Sequence, residues 1–544
     1  MPRSQPPTQT SPNPWTSDSA FLIYISAATV LIHMLVGTRY GFHRDELAIL
    51  EDARHLAWGY VSYPPVTPFF GRLALLLFGT SLLGFRFVAA MVQAVAVFLT
   101  GLMSRELGGR REAQILSAFA AVPFCLGAGA LMQYTSFDYV CWVLAAYFVV
   151  RLLRSDDPRW FLAIGAAIGF GMMSKYTMAF FACGIAGGTI LANARKYLLT
   201  KWLWFGVAIS LVIFLPNFLW QLHHDFVSLD FLRFLHERDV SAGLTKDFLP
   251  DQLEQTLLAF PLWVTGLCFY LFTDKGSRFR TLGWMYIIPL LLFIIAKGRG
   301  YYLAPAYPML YAAGAVVFEE AFATWRDSWR SFLRPLVWIT LIISIIGAMV
   351  VALPIAPVGS LWWYKAVEID SALPDEIGWV ELVSTIANVR DGLPATQQHQ
   401  LGILAENYGE VGAINLLGPL HGLPKAISGV NSSWERGYGD PPPQTMIIVG
   451  FPEQFVSEYF ESCHLAAHTW NSYGIDNEES FERPDIYVCG QPKLGWPEFW
   501  RTFQYFAQLD LYLTPSSGEV VQCQSAAFNI HSIAPRLAPL FPFA

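Results

Sequence analysis

Charged residues are scarce in this chain. Only 14% of its 544 residues are Asp, Glu, Lys or Arg, whereas soluble domains contain about 25%. Hydrophobic residues make up 54%, and the mean hydropathy is +0.40. A chain this long and this poor in charge does not fold as one soluble core. Its net charge of −7 argues against a nucleic-acid partner. It also lacks a P-loop and a dinucleotide motif, which argues against ATP-driven transport.

The N-terminal segment lacks the features of a secretory signal. Residues 1–19 are rich in Pro, Ser and Thr, with neither a basic start nor a small-residue cleavage site before the first apolar run. This composition predicts a disordered cytoplasmic tail, followed by a retained spanning helix.

Long apolar runs are abundant instead. They predict about eleven spans of roughly 20 residues each, and therefore an all-α polytopic membrane protein with a bundle over residues 20–356. The predicted spans are 20–38, 84–103, 113–131, 137–153, 159–173, 177–193, 202–221, 255–273, 281–296, 302–318 and 336–355.

Basic residues set the predicted orientation, because cytoplasmic loops are enriched in Lys and Arg. One alternating set of loops carries Arg105, Arg110, Arg111, Arg151, Arg154, Arg159, Arg195, Lys196, Lys201, Lys275, Arg278, Arg280, Arg326, Arg330 and Arg334. Placing this set in the cytoplasm puts the first loop, residues 39–83, and everything after about residue 357 outside.

The region from 357 to 510 changes character. The runs "TMIIVGF" and "DIYVCG", with turn residues between them, predict strands of a mixed α/β extracytoplasmic domain. Cys463 and Cys489 lie in this domain, where an oxidising compartment would allow a disulfide, so both a pair and two free thiols remain open. Cys523 would be left over, and the C-terminal tail, residues 511–544, carries no interpretable signal.

Four polar residues follow the first span in "RYGFHRDELAIL": His43, Arg44, Asp45 and Glu46. Such a cluster can be idle at a membrane edge. The following loop, however, has a rigid corner at Tyr63 and then a short apolar stretch, 66–79, that predicts a helix lying in the interface.

Other outward span ends also carry ionisable residues, namely Asp138, Lys175, Lys297 and Arg299, with Tyr301 and Tyr302 beside the last. Ionisable groups gathered at one membrane depth indicate a functional site. Basic residues with tyrosine hydroxyls can hold a phosphate, and a carboxylate can take a proton from an acceptor hydroxyl. Together they fit sugar transfer from a polyprenyl phosphate.

These pieces resemble a known family. The stretches "YGFHRDELAIL", "GYVSYPPVTPFFGRL", "MMSKYTMAFF" and "KGRGYYLAPAYPMLYAAGAV" resemble the lipid-phosphate-dependent membrane glycosyltransferases of family 39. That family includes the protein O-mannosyltransferases (PMT) and the ArnT-like lipid A aminoarabinose transferase, and the resemblance to its bacterial branch covers roughly residues 20–505. It implies the GT-C fold in a bacterial cytoplasmic (inner) membrane, with the active site on the outer face.

The resemblance also implies roles for individual residues. The family's acidic pair falls on Asp45, the expected general base, and Glu46, expected to shape the site or bind acceptor; one base implies inversion in a single displacement. Asp138 matches a second acidic position. The donor-phosphate candidates are Lys175, Lys297, Arg299, Tyr301 and Tyr302, and the further site candidates are His43, Arg44 and Tyr63.

Several alternatives remain open. Some GT-C enzymes use a divalent cation, but nothing here requires one, and the spacing of His223, His224, Asp225, His236 and Glu237 fits no tight metal site. The acceptor is a glycolipid, a cell-envelope glycan or a protein hydroxyl. A transporter or flippase, and a non-catalytic scaffold of a glycan-assembly system, are the competing functions. The stretch "ENYGE", 406–410, is either an acceptor contact or a packed helix start.

Overall fold

The computed structural model describes residues 17–324 and 326–507. Most of the predicted N-terminal tail, the predicted C-terminal tail and Cys523 lie outside this range. The chain begins as a helical bundle, residues 18–352. Its helices are α1 Asp18–Val36, α2 Arg44–Arg54, α3 Val66–Phe78, α4 Leu82–Glu106, α5 Arg111–Ala130, α6 Tyr134–Ser155, α7 Trp160–Met172, α8 Met178–Leu191, α9 Lys201–His223, α10 Val227–Ser241, α11 Phe248–Thr256, α12 Phe260–Phe272, α13 Arg280–Ile295, α14 Tyr307–Thr324 and α15 Asp327–Ala352.

A helix lies at each of the predicted spans, and the multi-pass membrane architecture is confirmed. Among the described residues, 7 helices are long and apolar enough to cross a membrane, or up to 8 if the bent pair α11 and α12 is one span. Helices α7 and α8 have 13 and 14 residues. At about 1.5 Å per residue they are shorter than a hydrocarbon core of about 30 Å. The count of eleven crossings stays a prediction.

Burial separates the helices into inner and outer members. The apolar windows of α5 and α6 are 78% and 83% buried, whereas those of α9 and α15 are 11% and 22% buried. The outer helices expose their apolar side chains, as lipid-facing helices do. The centre of the bundle is therefore built around α5 and α6.

The basic loops gather at one end of the bundle. Arg154 donates to Arg105 O at 2.9 Å and to Glu106 at 3.1 Å, and Arg278 donates to Leu153 O at 2.7 Å. The loops after α4, α6 and α12 thus meet at the end that the charge rule assigns to the cytoplasm. The candidate site residues lie at the opposite end.

Helix α3 has the amphipathic character predicted for the stretch after Tyr63. Phe69, Leu76 and Leu77 are 57%, 69% and 63% exposed, whereas Gly71 and Ala74 face inward. The helix ends at Gly79, whose φ of 62° lies in the left-handed region that glycine adopts without strain. An apolar outward face on a helix too short to span suits an interfacial position.

The remainder forms an outer domain, residues 361–507, with a five-stranded sheet. Its helices are α16 Leu361–Val367, α17 Trp379–Gly392, α18 Ala395–Gln398, α19 Tyr408–Leu417, α20 Glu453–Tyr459 and α21 Trp496–Thr502. Its strands are β1 Leu401–Ala405, β2 Ala426–Ile427, β3 Thr445–Val449, β4 His464–His468 and β5 Asp485–Cys489. The strand order is β2-β1-β3-β5-β4; β1 pairs in parallel with β2 and β3, and β5 pairs antiparallel with β3 and β4.

The two predicted strand runs are β3 and β5. Both faces of the sheet are covered, because successive side chains point to opposite sides. Ile447 and Val449 pack under α17 and α19, whereas Met446 and Ile448 pack among the aromatic residues of α20 and α21. Cys463 and Cys489 form a disulfide that ties the segment before β4 to the end of β5.

Candidate active site

A cavity of about 790 Å³ lies between the outer domain and the ends of the bundle helices opposite the basic loops. All of the predicted site residues except Glu46 and Asp138 line it: His43, Arg44, Asp45, Tyr63, Lys175, Lys297, Arg299, Tyr301 and Tyr302. Residues far apart in the sequence are therefore brought to one chamber by the bundle and the outer domain together.

Asp45 lies in the first turn of α2, where a capping box fixes the backbone. His43 accepts a hydrogen bond from the Asp45 amide through Nδ1 at 3.1 Å, and Glu46 accepts one from the His43 amide at 3.0 Å. The Asp45 carboxylate accepts from Tyr408 Oη at 3.0 Å and from Gln133 Nε2 at 3.3 Å. It is half-buried, and it faces the cavity.

Glu46 points away from the cavity. Successive side chains of a helix are about 100° apart, so Glu46 turns into the protein interior, where it is 0% exposed. It accepts from Arg86 Nη2 at 2.6 Å and from the Met132 amide at 2.9 Å. Glu46 therefore lies behind the cavity wall, where it is bonded within the protein, and it does not line the cavity.

Arg86 joins this carboxylate to Glu376 of the outer domain. Its guanidinium is 1% exposed, and it also donates to Glu376 at 3.0 Å and to Gly37 O at 2.7 Å. Burial raises the pKa of Glu376, and the neighbouring Arg86 opposes that rise. A buried cation between two carboxylates is costly to break, because each charge left behind would be unpaired.

Arg44 ties the start of α2 to the outer domain. It pairs with Glu478 at 2.6 Å and with Asp375 at 3.3 Å. His43 Nε2 lies 3.9 Å from Asp375 and has no hydrogen-bond partner among the described residues. Arg44 therefore holds α2 against the outer domain, whereas His43 Nε2 makes no hydrogen bond within the described residues.

Lys175 lies in the turn between α7 and α8, surrounded by aromatic rings. Its Nζ lies 5.1 Å from the ring centre of Tyr134, 4.8 Å from that of Tyr301 and 4.3 Å from that of Tyr302. Ring faces attract a cation but do not use its N–H donors as a carboxylate would. The ammonium can therefore still bind an oxyanion that enters the cavity.

Asp138 supports that turn from behind. It is buried near the start of α6, where it accepts from Trp142 Nε1 at 3.0 Å and from Thr177 Oγ1 at 3.1 Å. Thr177 lies two residues after Lys175. Asp138 thus holds the lysine-bearing turn and is not part of the cavity wall.

The Arg299 guanidinium is bound by a carboxylate of the protein itself. It forms a two-pronged pair with Asp239 of α10, with both N–O distances at 2.6 Å. A buried carboxylate therefore holds the guanidinium in this structure, and the role of Arg299 as a donor-phosphate contact stays a prediction. Lys297 is exposed and lines the cavity, at a left-handed backbone φ of 48°.

Asp52 is a carboxylate on the cavity side of α2 that was not predicted from the sequence. Asp52 lies seven residues after Asp45, on the same helix face, and accepts from Tyr63 Oη at 2.6 Å. Arg436 of the outer domain also binds Asp52. Burial raises the pKa of Asp52, and Arg436 opposes the rise. The i, i+7 spacing was the available signal for Asp52. Tyr408 lies in the stretch "ENYGE", which the sequence marks as an acceptor contact or a packed helix start, whereas Arg436 had no signal.

Two further titratable groups line the same cavity. Burial raises the pKa of Asp370 to about 7 and raises that of the Tyr408 hydroxyl above its ordinary value. Tyr408 therefore stays a proton donor at every physiological pH. Among the described residues, no group of three or more His, Cys, Asp and Glu side chains is arranged to hold a metal ion.

Residues 62–220 match the family model described as dolichyl-phosphate-mannose-protein mannosyltransferase. The crystal structure of ArnT from Cupriavidus metallidurans bound to undecaprenyl phosphate superposes with a TM-score of 0.55, at 14% identity, over 88% of this chain and 99% of that one. Residues 62–220 are thus similar to PMT-like proteins, and the chain has the GT-C fold. Because the identity is so low, the structural likeness speaks for the fold alone.

Two characterised relatives are also similar to this GT-C chain. The undecaprenyl phosphate-alpha-4-amino-4-deoxy-L-arabinose arabinosyl transferase 1 of Pseudomonas fluorescens is 25% identical over 315 residues, 53% of this chain and 54% of the relative. The lipid A galacturonosyltransferase RgtD of Rhizobium johnstonii is 25% identical over 214 residues, 38% of this chain and 44% of the relative. The matches span about half the length of each relative.

Proposed function

We propose that this chain is an inverting glycosyltransferase that moves a sugar from a polyprenyl-phosphate-linked donor to an acceptor hydroxyl. One observation carries the proposal: a single cavity holds a carboxylate, Asp45, and a cation–tyrosine cluster, which comprises Lys175, Lys297, Arg299, Tyr301 and Tyr302. Gln133 donates to Asp45 at 3.3 Å, and the ring centre of the next residue, Tyr134, lies 5.1 Å from Lys175 Nζ. The base and the proposed phosphate site are therefore neighbours.

The proposed reaction is a single displacement. Asp45 takes the proton of the acceptor hydroxyl as the acceptor oxygen bonds to the anomeric carbon, and the bond from that carbon to the phosphate oxygen breaks. The electron pair leaves with the polyprenyl phosphate, on which negative charge increases. Lys175 and Lys297 stabilise that charge, and attack from the opposite face inverts the anomeric centre.

The names of the relatives support a lipid-linked donor, and the bacterial relatives support a bacterial cytoplasmic membrane. We place the cavity on the extracytoplasmic side, because the basic loops lie at the other end of the bundle. The acceptor is a glycolipid, a cell-envelope glycan or a protein hydroxyl. No observation favours the transporter or scaffold alternatives, since the ionisable residues gather at one end of the bundle and not at mid-membrane.

The test is turnover of defined donors by the full-length protein in nanodiscs. Undecaprenyl phosphate carrying aminoarabinose, galacturonic acid, mannose or glucose is supplied with bacterial envelope lipids, and release of undecaprenyl phosphate is followed by mass spectrometry. We expect one donor to be consumed, and Asp45→Asn to lower its turnover by about 10²–10⁴-fold while lipid binding persists.

The matched control is Asp230→Asn, which changes an exposed carboxylate on α10 away from the cavity. It should leave turnover unchanged. Full activity in Asp45→Asn would remove Asp45 as the base, and consumption of none of the donors by the wild type would reject the lipid-linked-sugar proposal for these sugars.

A further inference from the structure

The outer domain reaches the proposed base through one side chain. Tyr408 is the first residue of α19, and its hydroxyl donates to Asp45 Oδ1 at 3.0 Å across 363 residues of sequence. Gln133, at the start of α6, donates to the other oxygen at 3.3 Å. The outer domain thus donates a hydrogen bond to one oxygen of the Asp45 carboxylate, and the bundle donates one to the other oxygen.

The position of the Tyr408 hydroxyl is fixed by its own helix start. Asn407 caps α19 by accepting from the Glu410 amide at 2.9 Å, and Glu410 accepts from the Asn407 amide at 3.2 Å. Asn407 also donates to Glu478 at 3.1 Å, and Glu478 pairs with Arg44 at 2.6 Å. The cap of α19 and the start of α2 therefore share one carboxylate.

Close packing of α19 on α2 makes this contact possible. A Cβ at Gly412 would lie 2.6 Å from both Leu47 Cβ and Leu47 O, and one at Gly409 would lie 2.8 Å from Arg44 Cβ. Real Cβ atoms do not approach this closely, so side chains at these two positions would push the helices apart. The two glycines bring Tyr408 within reach of Asp45.

We propose that Tyr408 is a positioning residue for Asp45, so that the outer domain forms part of the catalytic apparatus. This inference rests on the proposed role of Asp45 as the base. A hydrogen bond to the ionised form favours that form, and it also aims the carboxylate at the acceptor side of the cavity. Arg44 reinforces the arrangement, because its guanidinium lies 5.5 Å from the ring centre of Tyr408.

Other groups also face Asp45. They come from its own helix, from α6, from the turn after Arg299 and from the segment before α17, and are Arg44, Tyr134, Tyr301 and Asp375. A phenylalanine at position 408 leaves all of them in place. The change therefore isolates one hydroxyl.

The experiment compares the full-length wild type, Tyr408→Phe and Tyr487→Phe in nanodiscs. Tyr487 is a matched control, because its hydroxyl donates to Asp485 at 2.9 Å in the same domain but away from the cavity. A water-soluble carbodiimide modifies the protonated carboxyl of Asp45, and peptide mass spectrometry follows the modification against pH. This readout requires no turnover.

We expect the labelling midpoint of Asp45 to rise by about one pH unit in Tyr408→Phe and to stay unchanged in Tyr487→Phe. With the donor found above, kcat should fall by about ten-fold, the acid limb of the pH–rate profile should move to higher pH, and the KM for donor should stay the same.

Equal midpoints in Tyr408→Phe and the wild type would overturn the inference, whatever the turnover. If Asp45→Asn is inactive while Tyr408→Phe behaves as the wild type in both assays, only the positioning role fails. If Asp45→Asn keeps full turnover, the proposed base fails, and with it the inference, even where the labelling midpoint moves.

Discussion

The helical bundle and the outer domain use their charges in different ways. In the bundle, Lys175 and Lys297 lie on the cavity wall, where a ligand can reach them. In the outer domain, Glu406, Glu410 and Glu479 are 0%, 1% and 6% exposed and lie within the protein. The bundle thus presents cations to the cavity, whereas the outer domain buries these carboxyl groups in its interior and holds α2 through Glu478 and Asp375.

The orientation of the proposed base depends on contacts between the two regions. A lipid phosphate can be bound by cations in several geometries, whereas a general base has to be oriented towards the hydroxyl that it deprotonates. Asp45 belongs to the bundle, yet Tyr408 and both partners of Arg44 come from the outer domain. We therefore expect changes at the junction to affect both stability and chemistry, and changes in the cation–tyrosine cluster to affect lipid binding and turnover more than stability.

The largest effect is expected at Arg86, where the two regions join. Arg86→Met leaves Glu46 and Glu376 buried without their cation, which should lower the free energy of unfolding by about 3–5 kcal/mol. Thermal unfolding in nanodiscs measures this loss. Arg233→Met is the matched control, since its exposed pair with Asp230 should contribute only about 0–1 kcal/mol. Equal stability of the two variants would show that the junction does not depend on this ion pair.

The next effect concerns the bundle alone. Lys175→Gln removes the cation held among the tyrosine rings, and should weaken binding of undecaprenyl phosphate by about ten-fold or more. Native mass spectrometry or lipid titration gives the affinity. Lys365→Gln, at an exposed lysine of α16 that pairs with Glu368, should leave it unchanged. Unchanged affinity in Lys175→Gln would move the phosphate site elsewhere.

A pH effect is expected from Asp370, a residue of the outer domain that lines the cavity. Its pKa is raised from 3.8 to about 7, so the folded chain keeps a proton that the unfolded chain releases. Stability should therefore fall as the pH rises from about 4 to about 7, by up to about 1.4 kcal/mol per pH unit. Asp370→Asn should flatten this part of the melting-temperature profile. An identical profile in the variant would refute the assignment.

The smallest effect is expected at Asp239, the carboxylate that occupies Arg299. Asp239→Asn removes the charge that competes with a phosphate for the guanidinium, so affinity for undecaprenyl phosphate should rise by about two- to five-fold. Asp230→Asn, on the same helix but exposed, is the control. Weaker binding would mean that Asp239 orients Arg299 for the lipid instead of competing with it.

Much of the bundle could be predicted from sequence, because apolar runs and basic loops are local signals. The same holds for β3 and β5, whose buried apolar runs are bounded by turn residues. The number of crossings could not be fixed in this way, since α7 and α8 are apolar but short. Their place among longer helices depends on packing that no single run reveals.

The site was only partly predictable. The acidic pair was visible, but its division into Asp45 and Glu46 depends on the direction of each side chain and on Arg86, a buried arginine within an apolar run. That arginine was a readable signal that the sequence analysis did not use. The Tyr408–Asp45 and Arg299–Asp239 contacts join segments 363 and 60 residues apart, and neither has a local pattern.

The proposal that the donor phosphate binds in the cavity faced by Asp45 is tested most directly by a structure of the full-length protein in nanodiscs with undecaprenyl phosphate. We expect the phosphate to lie within hydrogen-bonding distance of Lys175 or Lys297, in the cavity that Asp45 faces. The polyprenyl chain should extend from the cavity between the bundle helices. A phosphate bound outside this cavity, or a lipid that leaves Lys175 and Lys297 without contact, would contradict it.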